Sequence, residues 1–207
     1  MNINGKVFER FEVIPRLHAG RLLPMIQSLM SEHSLKYTDL DAIAFGRGPG
    51  SFTGLRIATG VAQGIAFGAG LHIIPVSTLA ALAMQVKEAG VKHVFSCLDA
   101  RINEVYWGLF EFSNETPELL GKENLCAPKL INNSFLDAAA QWVGAGNGFL
   151  FLDEMAIEKA KLSSFSTEIL PHAADVAKLA SIYYKQGIRQ KPSEVAPIYL
   201  RDKVTNN

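Results

Sequence analysis

The chain has 207 residues, of which 48% are hydrophobic, enough to bury at least one core in one large or two small lobes. Its 20 basic and 20 acidic residues cancel, which disfavours a protein that binds nucleic acid by itself. The sequence shows neither a signal-peptide pattern nor an apolar run that could cross a bilayer, so a cytoplasmic protein is expected.

The first predicted element is a β-hairpin, because Asn4-Gly5 is a strong two-residue turn signal and a strand follows it at 6–13. Only three residues precede the turn, which is short for a strand that enters a sheet. A helix is predicted next at 17–31, from apolar residues at helical spacing, and it contains Pro24. This helix is either fully buried or shared between its own core and a partner.

Strands and helices are then predicted to alternate along the chain. A strand at 42–45 leads into a glycine-rich loop, a helix is predicted at 53–67, and a second strand at 72–76. The next helix begins at Ser77 or Thr78 and runs to 88. This order predicts an α/β fold with at least part of the sheet parallel.

After Gly90 the sequence becomes richer in predicted β-strands, and we place the boundary between lobes 1–90 and 91–207 there. The second half is predicted to contain a hairpin of strands at 91–98 and 104–112, followed by a polar loop at 113–124. A strand that runs into a glycine-rich turn is predicted at 141–148, and a helix at 171–186 that ends before Gly187. The segment APIYLRDK near the end is expected to pack back on the first lobe.

The loop GRGPGSFTGLR at 46–56 resembles a phosphate cradle but fails the tests for one. It has no P-loop lysine, and its glycines give G-x-G-x-x-x-G, not the dinucleotide spacing. Pro49 also removes one backbone N–H. We interpret the loop as a stiff strand-to-helix bend with Ser51 or Thr53 as the helix cap. Its structural glycines are Gly46, Gly48, Gly50 and Gly54.

The helix after this loop has two rows of small residues: an alanine row of Ala58, Ala62 and Ala66, and a glycine row of Gly60, Gly64 and Gly68. Each glycine costs a helix about 1 kcal/mol relative to alanine, and close helix packing would offset that cost. Such packing is either against the protein's own sheet or first helix, or against a partner. The predicted partner interface comprises Leu22, Met25, Ile26, Leu29, Ala58, Val61, Ala62 and Ile65.

Few residues suggest chemistry. The five histidines never stand at a ligand spacing, and Cys97 and Cys126 are expected to be reduced thiols. Asp99, Arg101 and Glu104 predict a salt-bridged turn more than a catalytic carboxylate pair. No metal, cofactor or catalytic residue is assigned.

Several stretches together resemble the bacterial TsaB family, also called YeaZ. They are GRGPGSFTGLRIATGVAQGIAFG at 46–68, IPVSTL at 74–79, DARINEVYW at 99–107 and APIYLR at 196–201, joined by HAGRLLPMIQ at 18–27. The resemblance implies an actin-like (ASKHA) fold with two RNase H-like lobes. It also implies a non-catalytic subunit for forming threonylcarbamoyladenosine in tRNA next to the anticodon.

The resemblance further implies partners and a surface for them. The family binds its paralogue, the transferase TsaD, and the assembly takes in the ATPase TsaE; alone, the family's members form homodimers. The surface used corresponds here to the helices at 17–31 and 53–68. No membrane and only indirect contact with tRNA are implied.

The resemblance also gives two departures to examine. The paralogue's two metal-binding histidines correspond by register to Thr78 and Leu82, so this metal site is expected to be empty. The glycine of the D-x-G phosphate-binding hairpin of actin-like ATPases corresponds to Arg101, whose side chain would obstruct a nucleotide. The family's first β-strand has no counterpart, which implies a truncated first lobe. The alternatives are an ATP- or metal-dependent enzyme of glycoprotease type and a direct tRNA-binding module.

Overall fold

The computed structural model describes residues 1–14, 18–87, 90–136 and 140–201. They form two compact units: Met1–Ser77 with His172–Ile198, and Thr78–Pro171 with the residues from Tyr199 onward. This division differs from the sequence boundary near Gly90, because the helix that begins at Thr78 packs on a strand of the second unit. No helix within the described part of the chain is long and apolar enough to cross a membrane.

The described part of the first unit contains a hairpin at the predicted turn, a two-stranded parallel sheet and three α-helices. The strand predicted at 6–13 was too long, because only Lys6–Val7 pairs as a strand. With labels numbered along the whole chain, its elements are β1 Asn2–Ile3, β2 Lys6–Val7, α1 His18–Glu32, β3 Ala42–Gly48, α2 Phe52–Ala69, β4 His72–Ser77 and α4 Ala173–Lys185. Asn4 and Gly5 make the hairpin turn with φ of +49° and +88°. β3 and β4 pair in parallel, which confirms the predicted α/β order.

The core of the first unit lies between its sheet and helices. Phe45 of β3, Ile73 of β4, Ala62 and Ala66 of α2, and Val195 form one buried cluster. Helices α2 and α4 both contact β3 and β4. Since helices cover these strands, the strands need apolar residues along their length, which is why they read as continuous apolar runs.

A carboxylate from a distant segment caps helix α4. Glu9 Oε1 accepts a hydrogen bond from the backbone N–H of Ala174 at 2.8 Å, and Glu9 Oε2 lies 2.9 Å from His172 Nδ1. Phe11 stacks on the His172 ring at 3.9 Å. Burial alone would raise the pKa of Glu9, but the hydrogen bonds from His172 and Ala174 outweigh it and lower that pKa.

The second unit is a five-stranded sheet with one helix packed on it. Its elements are α3 Thr78–Gln85, β5 His93–Arg101, β6 Glu104–Ser113, β7 Thr116–Cys126, β8 Trp142–Ala145 and β9 Leu162–Ser166. The strand order is β7-β6-β5-β8-β9, antiparallel from β7 to β5 and parallel from β5 to β9. The predicted hairpin and the strand before the glycine-rich turn are confirmed as β5, β6 and β8.

The polar stretch 113–124 was predicted as a loop, and this prediction was wrong, because most of it is strand β7. Asn114, with φ of +59°, makes a tight turn after β6, and β7 then pairs antiparallel with β6. β7 lies at a sheet edge, where many side chains face solvent. Strand β9 carried no expectation from the sequence.

Candidate partner interface on helices α1 and α2

The alanine row of α2 faces the core of its own unit. Ala62 and Ala66 are 4% and 0% exposed and pack with Phe45 and Ile73. Ala58 is half-buried against the same cluster. Packing within the unit therefore accounts for this row, and the structure places Ala62 in the core although the sequence placed it in the partner interface.

The glycine row lies on a different side of α2, with open space in front of it among the described residues. Gly60, Gly64 and Gly68 are all exposed, and a Cβ added at any of them would meet no described heavy atom within 4 Å beyond the helix's own backbone. Packing within the unit thus does not require glycine at these positions. Of the two explanations open from the sequence, packing against the described part of the protein's own unit does not account for the glycine row.

The remaining predicted interface residues are half-buried. On α2 they are Val61 and Ile65; on α1, which contacts α2, they are Leu22, Met25, Ile26 and Leu29. Two larger apolar side chains are more exposed: Phe67 of α2 at 83% and Leu23 of α1 at 44%. We call these six half-buried residues, together with the glycine row, Phe67 and Leu23, the α1–α2 face.

The loop before α2 is a bend fitted tightly to its surroundings. Ser51 is the helix cap, and its Oγ accepts a hydrogen bond from the Gly54 N–H at 3.4 Å, as the sequence predicts. Gly48 has φ of +106°, and a Cβ there would lie 2.7 Å from the carbonyl oxygen of Ile198 and 3.0 Å from Leu55 Cδ1. Gly48 therefore allows both the bend and the approach of another backbone.

Gln63 on α2 makes a contact that sequence reasoning missed. Its side-chain amide donates to the carbonyl oxygens of Pro192 and Val195, at 2.9 and 3.0 Å. These partners lie 129 and 132 residues further along the chain. Local periodicity carries no information at such a separation.

The hairpin between β5 and β6 is the salt-bridged turn that the sequence predicts. Arg101 pairs with Asp99 at 3.0 Å, and Arg201 pairs with Glu104. Arg101, Ile102 and Asn103 all have positive φ. Both carboxylates are thus occupied by arginines.

The two cysteines are free and differ in environment. Cys97 is completely buried, and the turn after β8 lies so close to it that a Cβ on Gly148 would overlap its Sγ. Cys126 is half-buried, and its Sγ accepts a hydrogen bond from Trp107 Nε1–H at 3.2 Å. Burial raises the pKa of both thiols, which keeps them protonated and poorly nucleophilic at neutral pH.

Thr78 and Leu82, the two positions at which the resemblance implies metal ligands in the paralogue, lie on α3. Leu82 is completely buried and has no donor atom, and Thr78 is half-buried. Within the described residues, no three or more His, Cys, Asp and Glu side chains come together as they would around a metal ion. The donor set at these two positions does not suit a metal.

Known proteins resemble this chain along nearly its whole length. A family model described as TsaD, tRNA N6-adenosine threonylcarbamoyltransferase, matches residues 12–206. The Escherichia coli K12 protein named tRNA threonylcarbamoyladenosine biosynthesis protein TsaB is 34% identical over 204 residues, covering 97% of this chain and 88% of its own length. The chain belongs to the TsaB family.

Other members agree with this assignment. TsaB of Haemophilus influenzae Rd is 36% identical over 94% of this chain and 84% of its own length. A Pseudomonas aeruginosa crystal structure, described as an uncharacterized protein with similarity to peptidase YeaZ, superposes with a TM-score of 0.89 at 40% identity. It covers 96% of this chain and 91% of its own. The fold is accordingly the actin-like α/β fold expected of a TsaB protein.

Proposed function

We propose that this chain is a non-catalytic subunit of the assembly that forms threonylcarbamoyladenosine in tRNA. It binds the paralogous transferase TsaD through the α1–α2 face and holds the transferase in an active form. Alone, it pairs with a second copy through the same face. The observation that carries this proposal is the glycine row, which costs α2 stability and at which an added Cβ would meet no atom of the described part of its own unit.

The chemistry of the second unit supports a subunit without catalysis of its own. Thr78 and Leu82 stand where the paralogue has metal-binding histidines, and leucine has no donor atom. Arg101 stands where a phosphate-binding hairpin needs glycine, and its side chain pairs with Asp99. Both thiols are kept protonated by burial. These positions therefore lack the metal ligand, the phosphate-binding glycine and the thiolate that such chemistry would use.

The remaining partners follow from the same proposal. The ATPase TsaE joins the assembly, and tRNA contacts this chain only indirectly, in keeping with its 20 basic and 20 acidic residues. The assembly works in the cytoplasm, where its tRNA substrate is found.

The glycine row can be tested with Gly64→Trp. Because Gly64 is exposed and unobstructed, the indole will not disturb the core but will keep a partner helix away. We expect TsaD binding and self-pairing each to weaken about tenfold or more, measured by pull-down and by analytical ultracentrifugation. Ala62→Trp is unsuitable, since Ala62 is only 4% exposed and the variant would misfold.

Gln186→Trp is the matched control, because Gln186 is exposed at the end of α4 with helical backbone angles. It should leave both associations unchanged. If Gly64→Trp binds TsaD as tightly as Gln186→Trp does, the interface assignment is wrong.

An ATP- or metal-dependent enzyme of glycoprotease type is the competing function, and the description of the Pseudomonas structure mentions a peptidase. The isolated chain distinguishes the two. Calorimetric titration with ATP, Mg²⁺ and Zn²⁺ should show no binding heat, whereas saturable binding of any of them would favour the enzyme.

A further inference from the structure

Residues 190–198, which we call the strap, run along the first unit and are fixed at both ends. At one end, Gln190 and Ile73 of β4 exchange two backbone hydrogen bonds, of 2.9 and 2.8 Å. At the other end, the N–H of Ile198 donates to the carbonyl oxygen of Arg47 at 2.7 Å. Between them, Val195 is only 5% exposed and belongs to the core cluster.

The strap is also fixed in the middle, by a single side chain of α2. Both hydrogen bonds from the Gln63 amide use its Nε2 atom, which has two N–H groups, one for each strap carbonyl. The contact therefore uses the whole donor capacity of this group. Gln63 is half-buried, so an unsatisfied strap carbonyl left here would cost more than one in open water.

Helix α2 needs such a contact because its own sequence stabilises it poorly. Gly54 and the three residues of the glycine row lie within its 18 residues, and each glycine costs about 0.8–1 kcal/mol relative to alanine. Among the described residues of the unit, none lies close enough to the glycine row for an added Cβ to touch it. The helix is thus ordered by its alanine row on the sheet, its contact with α1 and the Gln63 contact with the strap.

We propose that Gln63 and the strap are the positioning element of the α1–α2 face. The hydrogen bonds between Gln63 and the strap hold α2 in place. With α2 held in this way, the glycine row stays turned toward the side from which a partner helix would approach. Pairing through this face therefore depends on the strap, although neither Gln63 nor the strap has to touch the partner. This inference rests on the function proposed above.

The test compares two substitutions that differ in hydrogen-bond donors more than in bulk. Gln63→Glu keeps the size of the side chain, removes both donors and places a carboxylate against two carbonyl oxygens. Gln63→Lys restores donors at similar reach. A role in packing alone would tolerate glutamate at least as well as lysine, whereas the positioning role predicts the reverse.

Two readouts are taken on the full chain: hydrogen exchange of the Gln190 and Ile198 amides, and self-association by analytical ultracentrifugation. For Gln63→Glu we expect both amides to exchange about tenfold faster or more and self-association to weaken about tenfold. Gln63→Lys should stay close to the parent in both.

The inference is overturned if Gln63→Glu leaves amide exchange unchanged, or speeds it while self-association stays at the parent level. It is also overturned if Gln63→Lys fails as Gln63→Glu does. Gly64→Trp in the same experiment separates the two proposals. If it blocks pairing while Gln63→Glu does not, only the strap inference fails; if Gly64→Trp pairs normally, the docking face and the strap inference both fail.

Discussion

Gly48 occupies a position where a Cβ atom does not fit. Its φ of +106° lies in the region that glycine adopts freely, and a Cβ would lie 2.7 Å from the Ile198 carbonyl oxygen. The oxygen belongs to backbone that is held by its own hydrogen bond to Arg47, so it cannot move aside easily. Because Gly48 has no Cβ atom, the loop before α2 can contact the strap at Ile198.

We expect Gly48→Ala to lower the free energy of unfolding by about 2–3 kcal/mol, from backbone strain and the clash together. Urea denaturation measures this. Gly50→Ala is the control, because a Cβ there would make only ordinary contacts with Leu55 at 3.9 Å; it should change stability by less than about 0.5 kcal/mol. Equal losses for the two variants would show that Gly48 has no special backbone role.

Single residues were predictable from the sequence when their partners lie nearby in the chain. Ser51 was identified as one of two possible helix caps, and Asp99 with Arg101 as part of a salt-bridged turn; their partners lie three and two residues away. Glu9 and Gln63 were not identified, because their partners lie more than 100 residues away. Nothing in one sequence specifies pairs at such separations.

Helix α2 combines two surfaces with opposite requirements. Its alanine row is buried in the core, whereas its glycine row is exposed. The sequence shows both rows but not which one faces the unit's own core. Which row faces the core depends on the side of the helix on which the sheet lies. The residue pattern of a single helix does not contain that information.

The glycine row should therefore reduce stability in the isolated chain. Gly60→Ala is expected to raise the free energy of unfolding by about 0.5–1 kcal/mol, because it improves helix propensity and the added Cβ meets nothing. The same variant should pair more weakly, since the methyl group increases the distance of closest approach between helices. Thermal denaturation at low concentration and ultracentrifugation measure the two effects.

Gly70→Ala provides the contrast for this prediction. Gly70 ends α2 with φ of +70°, so alanine there should be destabilising by about 1 kcal/mol. If Gly60→Ala destabilises the chain as Gly70→Ala does, then the glycine row is required by the fold itself.

Strands were predictable where helices pack against an apolar run, and not where the strand is mostly polar. β3 and β4 read as continuous apolar runs because helices cover them. In β7, Pro117 and Leu119 are more buried than Glu118 and Leu120, but this short alternation is lost among polar neighbours. The loop prediction for 113–124 failed for that reason.

At the scale of the whole molecule, the proposed function gives one face two competing partners. A copy of the chain and the paralogous transferase cannot occupy the α1–α2 face at once. Adding TsaD to the self-paired chain should therefore replace homodimers with heterodimers, as followed by native mass spectrometry. The Gly64→Trp variant should form neither species. A complex that keeps the homodimer intact with TsaD added would show that the two associations use different surfaces.

The turn after β8 has a practical consequence for studying the second unit. Since Gly148 lies directly against Cys97 while Cys126 is half-buried, a maleimide added to the folded chain reaches the two sulfurs on different timescales. Modification at Cys97 requires the turn to lift from β5, so its rate reports the opening of that sheet. The labelling rate of Cys97 can therefore be used to follow local unfolding of the second unit. In Cys126→Ser, Cys97 would be the remaining thiol, so its labelling alone would be measured.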